Sequence, residues 1–278
     1  MSNVADGANI LLGKGKLYFE RFTAAGAVAT GGYRFLGNVL GFGLTMSDET
    51  KEVYSSAEAG APLLKQALIR RTVELAVTMD EVTADNVALG LMGTDHAAAA
   101  QTAATITDQI VYTNLPADGS MLDRAYPVAL AGVRQHHWNS ATPVTVKIAS
   151  TTLTVATDYS FDYVAGVLYL ANNATTLAAC AGGTGELTIS GVLTAYLVGA
   201  YRNVYGAVVG VVEGAFMFVA DPSAGPKCNV FVWRADCTPD GEWGLIGDDF
   251  GEFKLKAKVI ADSVAHPTNP LFLVEKVS

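Results

Sequence analysis

The sequence predicts a mainly β fold, and three observations support this prediction. Apolar and polar side chains alternate over Gly41–Ser47, Gln66–Asp80 and Glu252–Ile260, as in strands with one buried and one solvated face. Sheets with one dry and one wet face are typically antiparallel. Half of the 278 residues are hydrophobic, which favours a folded chain with a sizeable core over a disordered one.

The first strands carry aromatic and alternating residues. Residues 1–15 are small and polar, and we predict an N-terminal arm there. Lys16–Phe22 predicts the first strand, because its aromatic residues suit a pleated surface, and Tyr33–Leu36 continues the pairing. Gly41–Ser47 follows, with Phe42, Leu44 and Met46 on its apolar face and Gly41, Gly43, Thr45 and Ser47 on the other.

A second alternating run is separated from the first by a long connection. Asp48–Pro62 has no period, so we predict a loop there rather than a hairpin turn. From Gln66 the alternation returns. Its expected dry face comprises Ala67, Ile69, Val73, Leu75, Val77 and Met79, interrupted by Arg71, and its wet face Gln66, Arg70, Thr72, Glu74, Thr78 and Asp80.

A short helix follows these strands. Thr83 is predicted to cap a helix over Ala84–Met92, and Gly93 to end it. Val87, Ala88, Leu91 and Met92 form its apolar side, which would cover the dry face of the sheet. Thr105–Thr113 and Tyr126–Val133 predict further strands.

The composition changes near Arg134. Residues 134–191 are rich in Thr, Ser, Ala and Val, and they contain closely spaced strand candidates such as VTVKI, VLYL and ELTIS. We therefore predict a small all-β unit inserted into the main fold. After it come strands at Val208–Val219, Asn229–Arg234 and Glu252–Ile260, and then a C-terminal arm.

Charge and composition limit the functions that we expect. The net charge of −9 argues against tight nucleic-acid binding, which needs an excess of Lys and Arg. Only 16% of the residues are charged, against about a quarter in average proteins. This shortfall indicates that much of the surface is covered in an assembly.

No motif for catalysis, cofactor binding or metal binding stands out. His136 and His137 are adjacent, and neighbours in an extended strand point to opposite faces, which disfavours a shared metal. Asp248, Asp249 and Glu252 lack the ligand spacing of a calcium loop. The three cysteines have no paired spacing, so we expect reduced thiols. We predict no enzyme activity, no cofactor and no metal.

The sequence also shows no sign of membrane insertion. The first residues lack the basic and apolar regions of a signal peptide, so we expect none. The most apolar stretch, Val204–Ala220, is broken by Glu213 and three glycines and is slightly short for a membrane helix.

Several of these patterns together resemble a known family. They are Leu36-Gly37-Asn38, the run through Phe42 to Thr45, the long connection ending near Ala61, the strand to Met79, the helix TADNVALGLMG and the ending GEFKLKAKVIADSVAHPTNPLFLVEKV. In this combination the chain resembles the major tail tube proteins of long-tailed, siphophage-like bacteriophages. The resemblance covers about residues 10–130 and 200–278.

The resemblance implies a fold and an assembly. The fold would be a two-sheet β-sandwich or split barrel with a flanking short helix. Six copies would join their inner sheets into a ring-wide β-barrel, and stacked rings would form the tail tube through which DNA leaves the capsid. Applied to this chain, the family pattern gives an N-terminal arm at 1–15, a tail tube domain at 16–133 and 192–261, an inserted small β domain at 134–191 and a C-terminal arm at 262–278.

The resemblance also implies partners and surfaces. Partners would be further copies of the chain, the tape measure protein, and the tail terminator and distal tail proteins. The protein would be located in the virion tail, which would be assembled in the host cytoplasm. Viral DNA would pass through the lumen without specific binding, and no membrane would be involved. The implied contact between rings lies in the connection 48–64, at Asp48, Glu49, Lys51, Glu52, Tyr54, Glu58 and Leu64. The implied lumen-facing residues are Thr45, Ser47, Arg70, Thr72, Glu74, Thr78, Asp80, Lys254, Lys256 and Lys258.

One feature of this arrangement conflicts with an acidic lumen. By alternation, Lys254, Lys256 and Lys258 should share the wet face with Glu74 and Asp80. Either these lysines pair with acids on neighbouring strands, or the last strand faces elsewhere.

Two other classes of protein stay open as alternatives. One is a virion or cell-surface binding module in which residues 134–191 recognise a carbohydrate or a receptor. The other is an outer-membrane barrel, against which the expected absence of a signal peptide and the C-terminal Ser278 weigh. An enzyme is the class with the least support, because no site motif is present.

Overall fold

A computed structural model of the chain describes residues 13–22, 32–57, 59–130, 132–181, 185–224, 227–248 and 250–277. Its elements are antiparallel strands and two short helices. In chain order they are β1 (Gly15–Arg21), β2 (Arg34–Phe35), β3 (Val39–Tyr54), β4 (Leu63–Met79), α1 (Ala84–Gly90), β5 (Thr94–Ala97), β6 (Ala104–Tyr112), β7 (Ala125–Pro127), β8 (Ala129–Leu130), β9 (Val133–Arg134), β10 (Thr145–Ile148), β11 (Thr151–Thr152), β12 (Tyr159–Asp162), β13 (Val167–Leu170), α2 (Ala174–Ala181), β14 (Leu187–Leu193), β15 (Arg202–Tyr205), β16 (Val212–Ala220), β17 (Lys227–Pro239), β18 (Phe253–Val259) and β19 (Phe272–Val277).

The chain divides into two compact units. Unit 1 comprises residues 1–96 and 203–278, and unit 2 comprises residues 97–202. The inserted unit predicted at 134–191 therefore has wider bounds, because β6 and β7 pair with β14 and β13 inside unit 2. The predicted arm at 1–15 falls almost wholly outside the described residues, and only Gly13, Lys14 and Gly15 of it are described.

Unit 1 is built on one large antiparallel sheet. Its strand order is β2-β1-β16-β17-β18-β4-β3, and β19 pairs with β17 beside this path. Among the described strands this sheet does not close into a barrel, and β3 is one of its edges. One face is dry and packs as a core, whose largest fully buried side chains include Leu17, Leu36, Leu75, Phe216 and Leu255.

Alternation correctly predicts the strands that border this core. In β18, Phe253, Leu255 and Ala257 are buried, while the lysines between them are exposed. In β4, Val73, Leu75, Val77 and Met79 are at most 1% exposed. The prediction that Ala67 and Ile69 lie on the dry face is wrong, because this part of β4 extends past the core and Ile69 is 58% exposed.

The predicted loop over Asp48–Pro62 is also wrong for most of its length. Residues up to Tyr54 belong to β3, and they pair with β4 continuously from Val39 opposite Met79 to Tyr54 opposite Leu63. Only the short segment between Tyr54 and Leu63 connects the two strands, and Glu58 within it lies outside the described residues. Two shifts in register, after Glu49 and after Val53, hide the alternation in the sequence.

The end of the chain differs from the predicted arm at 262–278. Residues Phe272–Val277 form β19, which pairs with residues 227–232 of β17 in the same chain. Two other predicted strands are shifted. β16 begins at Val212 instead of Val208, and β17 extends to Pro239, beyond the predicted end at Arg234.

Helix α1 confirms the predicted start and covers the core. The Thr83 hydroxyl accepts a hydrogen bond from the Asn86 backbone N–H. The helix ends at Gly90, two residues before the predicted Met92, and Leu89 joins the core cluster. Asn86 is fully buried, and its side-chain amide donates to the Leu36 and Glu81 carbonyls at 2.9 Å, which ties the helix to the segment between β2 and β3 and to the end of β4.

Unit 2 contains three small antiparallel sheets around its own core. Their orders are β11-β10-β14-β6, β12-β13-β7 and β8-β9. Its core includes Trp138, Val146, Ile148, Leu168 and Leu187. The prediction of an all-β unit is wrong in one respect, because helix α2 lies within it. Asn173 precedes this Ala-rich helix and accepts hydrogen bonds from the Thr175 and Thr176 backbones.

Candidate functional site

The polar face of the unit 1 sheet is a continuous surface made from several strands. Residues directly opposite each other on neighbouring strands share a face. Thr45 lies opposite Glu74, Glu74 opposite Lys258, Lys258 opposite Asp236, and Asp236 opposite Glu213. This row therefore crosses β3, β4, β18, β17 and β16. At its centre the charge alternates from Glu74 to Lys258 to Asp236.

The three lysines of β18 lie on this polar face. Lys256 Nζ lies 3.2 Å from Glu74 Oε2, and Lys254 Nζ lies 3.3 Å from Glu252 Oε2. Lys258 pairs in register with both Glu74 and Asp236. Of the two possibilities that the sequence left open, pairing with acids on neighbouring strands is therefore correct for Lys256. The described face has mixed charge and is not uniformly acidic.

The other residues expected on the polar face fall into two groups. Ser47 lies opposite Thr72, and Thr78 lies opposite Gly41, so these side chains continue the same face. Arg70 lies further out, opposite Glu49. Asp80 follows the end of β4 and accepts two hydrogen bonds of 2.8 Å from the Asn38 amide, which places it at the end of the face.

Sequence reasoning missed the part of the face that β16 and β17 supply. Arg234 and the carboxylate of Glu213 form a two-pronged ion pair, with hydrogen bonds of 3.1 Å from both Nε and Nη2. Glu213 is only 9% exposed, so this pair is the most buried charge contact of the face among the described ion pairs. The alternation of Arg234, Asp236 and Thr238 with Ala235 and Cys237 is the signal that could have revealed it.

The outer half of the β3–β4 hairpin forms a two-stranded arm, which we define as Asp48–Tyr54 and Leu63–Arg71. Ion pairs join its strands near its base. Arg71 donates two hydrogen bonds to Asp48, of 2.7 Å from Nε and 2.8 Å from Nη2, and Arg70 Nε donates to Glu49 at 3.0 Å. The Arg71 hydrogen bonds lower the pKa of the Asp48 carboxyl below its ordinary value.

The arm also exposes many apolar side chains. Val53 is 52% exposed, Tyr54 54%, Leu64 64%, Leu68 52% and Ile69 58%. Every described residue of the arm is exposed, so the described part of the chain covers neither of its faces. An uncovered two-stranded ribbon is at best marginally stable in water, and apolar patches of this kind mark interaction surfaces.

The described residues among those expected at the contact between rings all belong to the arm. Asp48, Glu49, Lys51, Glu52 and Tyr54 lie on β3, and Leu64 lies on β4. Register opposes Lys51 to Ala67 and Glu52 to Gln66. The structure thus gathers these residues on one projecting element, while Glu58 lies outside the described residues.

The adjacent histidines are arranged differently from the expectation. His137 has a φ of +52°, so the backbone is not extended there. The ring centroids of His136 and His137 lie 4.9 and 5.3 Å from that of Tyr201, so both rings contact the same tyrosine. Burial lowers the pKa of His136. The expectation that the two rings lie on opposite faces is wrong.

The described ranges contain few features of other kinds of site. No group of three or more His, Cys, Asp or Glu side chains in them could hold a metal ion. No helix within these ranges is long and apolar enough to cross a membrane. The three cysteines are free thiols, and burial raises the pKa of Cys237 to about 12.

Comparison with known proteins places the chain in a family. No curated protein matches it significantly. A family model matches residues 10–270, which is nearly the whole chain and spans both units. The chain therefore belongs to the family described as protein of unknown function UCP028589.

Proposed function

We propose that this protein is a structural subunit that assembles into stacked hexameric rings forming a phage tail tube, a conduit for DNA ejection. The observation that carries the proposal is the arm, which exposes apolar side chains on both faces and is not covered by any residue that the structure describes. Other copies of the chain would provide that cover, and the arm would form the contact between rings.

The geometry of the large sheet supports ring formation. β3 is a 16-residue edge strand, and no described strand pairs with its outer backbone groups, which could therefore pair with another sheet. Joining such edges around a ring gives a closed barrel, which removes the edges. The sheet also curls towards itself, because Phe42 of β3 stacks on Phe218 of β16 at 5.8 Å although these strands are not neighbours. This curl supports the two-sheet sandwich of the proposed fold.

The polar face is suited to line a conduit. DNA binding depends on neutralising phosphates with unpaired Lys and Arg. Here Arg70, Arg234, Lys254 and Lys256 each lie within ion-pair distance of a carboxylate, and the whole chain carries a net charge of −9. Such a surface offers DNA few sites of adhesion. Under this proposal the tape measure protein and the terminator and distal tail proteins are further partners, and the protein is located in the virion tail.

Electron microscopy of the purified protein at rising concentration tests the proposal. We expect hollow rings that stack into tubes. A protein that stays monomeric at every concentration contradicts the proposal.

A shortened hairpin makes the test specific to the arm. Ser47 and Thr72 lie opposite each other, so residues 48–71 can be replaced by the two-residue turn Asn-Gly. We expect this variant to keep its β-sheet circular dichroism and to lose stacking. The matched control is Val133→Asp, a surface change in unit 2 at a residue 62% exposed, which should stack normally. Normal tubes from the shortened variant would refute the assignment of the arm.

A further inference from the structure

Unit 1 contains a large open groove with an apolar floor. It has a volume of about 1310 Å³ and lies along β1, β3, β16, β17 and β19. Its apolar lining includes Leu40, Phe42, Met46, Phe218 and Val274. Leu40 is 54% exposed, Met46 59% and Val274 48%, so the described part of the chain leaves the groove floor open to water. Exposed apolar concavities of this size are typical binding sites.

Basic side chains stand at one end of the groove. Lys14, Lys16 and Asp221 are the charged residues of its described lining. The Asp221 backbone N–H donates to the Lys14 carbonyl at 2.9 Å, and Lys16 lies opposite Val219, so both lysines are close to Asp221 in the sheet. Two cations against one anion leave this rim positive, whereas the whole chain has a net charge of −9. The groove therefore favours an occupant that is both apolar and acidic.

The connection between β17 and β18 has this chemistry. Ile246 is 100% exposed, Phe250 93% and Leu245 74%. Together with Val264 and Leu197, these three are the most exposed large apolar residues in the described part of the chain. We call these three residues the apolar loop. Glu242 precedes them and Asp248 lies between Ile246 and Phe250, and the sequence between Asp240 and Glu252 contains no Lys or Arg.

The base of the apolar loop is held in place. The Trp243 ring packs against the Phe253 ring with centroids 4.6 Å apart, and the Asp240 backbone N–H donates to the Lys254 carbonyl at 2.8 Å. The structure therefore presents the apolar loop from a fixed base, away from the core that Phe253 helps to form. A displayed segment with a fixed base loses less conformational entropy on binding than a free one.

We infer that the apolar loop of one copy docks into the groove of a neighbouring copy, with its carboxylates towards Lys14 and Lys16. The inference rests on the proposed self-assembly and names one of its contacts. The loop and the groove are different surfaces, so the contact is heterologous: each copy gives its loop to one neighbour and receives a loop from another. Contacts of this type produce a ring when the rotation between neighbouring copies returns to the first copy, and a filament when it does not.

A disulfide between copies tests this docking directly. Cys228 lines the groove and is half-buried, whereas Cys180 and Cys237 are buried. With Ile246→Cys, mild oxidation by diamide should link the new thiol to Cys228 of another copy and give a ladder of covalent oligomers on a non-reducing gel. Mass spectrometry should identify the peptide pair 246–228.

Two matched controls accompany this variant. Ile246→Cys with Cys228→Ser removes the receiving thiol, and Val264→Cys places a thiol at another residue that is 96% exposed. Neither should give the ladder. A ladder of equal intensity from either control overturns the docking, because the links would then reflect random collisions.

The remaining outcomes separate this inference from the proposed function. If the wild-type protein never self-associates, the proposed function fails and the docking fails with it. If the wild type forms rings but no 246–228 link appears, only the docking is overturned. A link between residues 246 and 228 of the same chain also overturns the docking. So does a disulfide between Cys228 and a Leu11→Cys variant residue of the same chain, because the groove would then bind its own N-terminal segment.

An independent variant tests the same docking without cross-linking. Ile246→Asp together with Phe250→Asp should raise the concentration needed for assembly at least tenfold, because the groove would have to accept two buried charges. Val264→Asp is the matched surface control and should leave that concentration unchanged. Equal assembly of both variants would overturn the docking.

Discussion

The inner and outer halves of the β3–β4 hairpin differ in environment although they belong to the same two strands. In the inner half, Val73, Leu75 and Val77 are each 1% exposed and pack in the unit 1 core. In the arm, Leu68 and Ile69 of the same strand are 52% and 58% exposed. The backbone pairing continues through both halves, so the halves differ in the burial of their side chains and not in their pairing. The inner half is completed by its own chain, and under the proposed function other copies of the chain cover the arm.

The largest expected effect of a single substitution separates the two halves directly. Leu75→Ala should destabilise unit 1 by about 2–5 kcal/mol, because it removes a buried side chain and leaves a cavity. Leu68→Ala, in the same strand, should change the stability of unit 1 by less than about 0.5 kcal/mol, because the Leu68 side chain is 52% exposed. Hydrogen exchange of unit 1 peptides in the monomeric protein measures both values without assuming that the two units unfold together.

This pair of variants can contradict the distinction between the inner half and the arm. A large loss of stability from Leu68→Ala in the monomer would mean that the arm packs against its own chain. A small loss from Leu75→Ala would mean that the inner half is not part of the core.

A smaller effect is expected on the polar face. Lys256→Glu places a carboxylate beside Glu74, which Lys256 Nζ now approaches to 3.2 Å. Such a repulsion should cost up to about 1 kcal/mol of unit 1 stability, because the site is partly exposed and screened by salt. Chemical denaturation at low and high salt measures it, and the loss should shrink at high salt.

The double variant Lys256→Glu with Glu74→Lys is the control for this effect. It restores opposite charges and should recover most of the lost stability. Failure of this rescue would show that the Lys256 side chain contributes through packing and not through its charge.

The smallest effect concerns acidification of the arm. The pKa of Asp48 is lowered in the folded protein, chiefly by its hydrogen bonds with Arg71. Because the pKa of Asp48 is lower in the folded protein than the unfolded value of 3.8, its carboxylate stabilises the folded form at pH values above 3.8. This stabilisation is lost as the pH falls through the pKa of the folded protein. Exchange protection of arm amides, corrected for the intrinsic rate, should therefore decrease below pH 3.8.

Asp48→Asn should remove this dependence, because an amide does not titrate in this range. If the wild type and the variant show the same decrease with acid, the Asp48–Arg71 pair does not stabilise the arm.

The sequence predicts much of the inner half and little of the arm, for physical reasons. Alternation identifies Val73–Met79 and Phe253–Val259 because a core covers one face of each strand. In the arm no core selects apolar residues, and the register shifts after Glu49 and Val53 break the period. Cross-strand ion pairs such as Asp48–Arg71 join residues 23 positions apart, which no local pattern reveals.

Two other features of the molecule escaped prediction for a related reason. β19 was predicted as part of an arm because its pairing with β17 joins segments that are distant in the sequence. The mixed charge of the polar face depends on the register of β4, β17 and β18, which places Lys258 between Glu74 and Asp236. Long-range pairing therefore decides both features, and only the structure supplies it.

The central claim, that other copies of the chain cover the arm, has a direct test. Hydrogen exchange of the wild-type protein is compared between dilute, monomeric samples and concentrated, assembled ones. We predict that amides of Asp48–Tyr54 and Leu63–Arg71 exchange rapidly in the monomer and become strongly protected on assembly, while the core amides of Val73–Val77 are protected in both. Assemblies in which the arm exchanges as rapidly as in the monomer would contradict the claim.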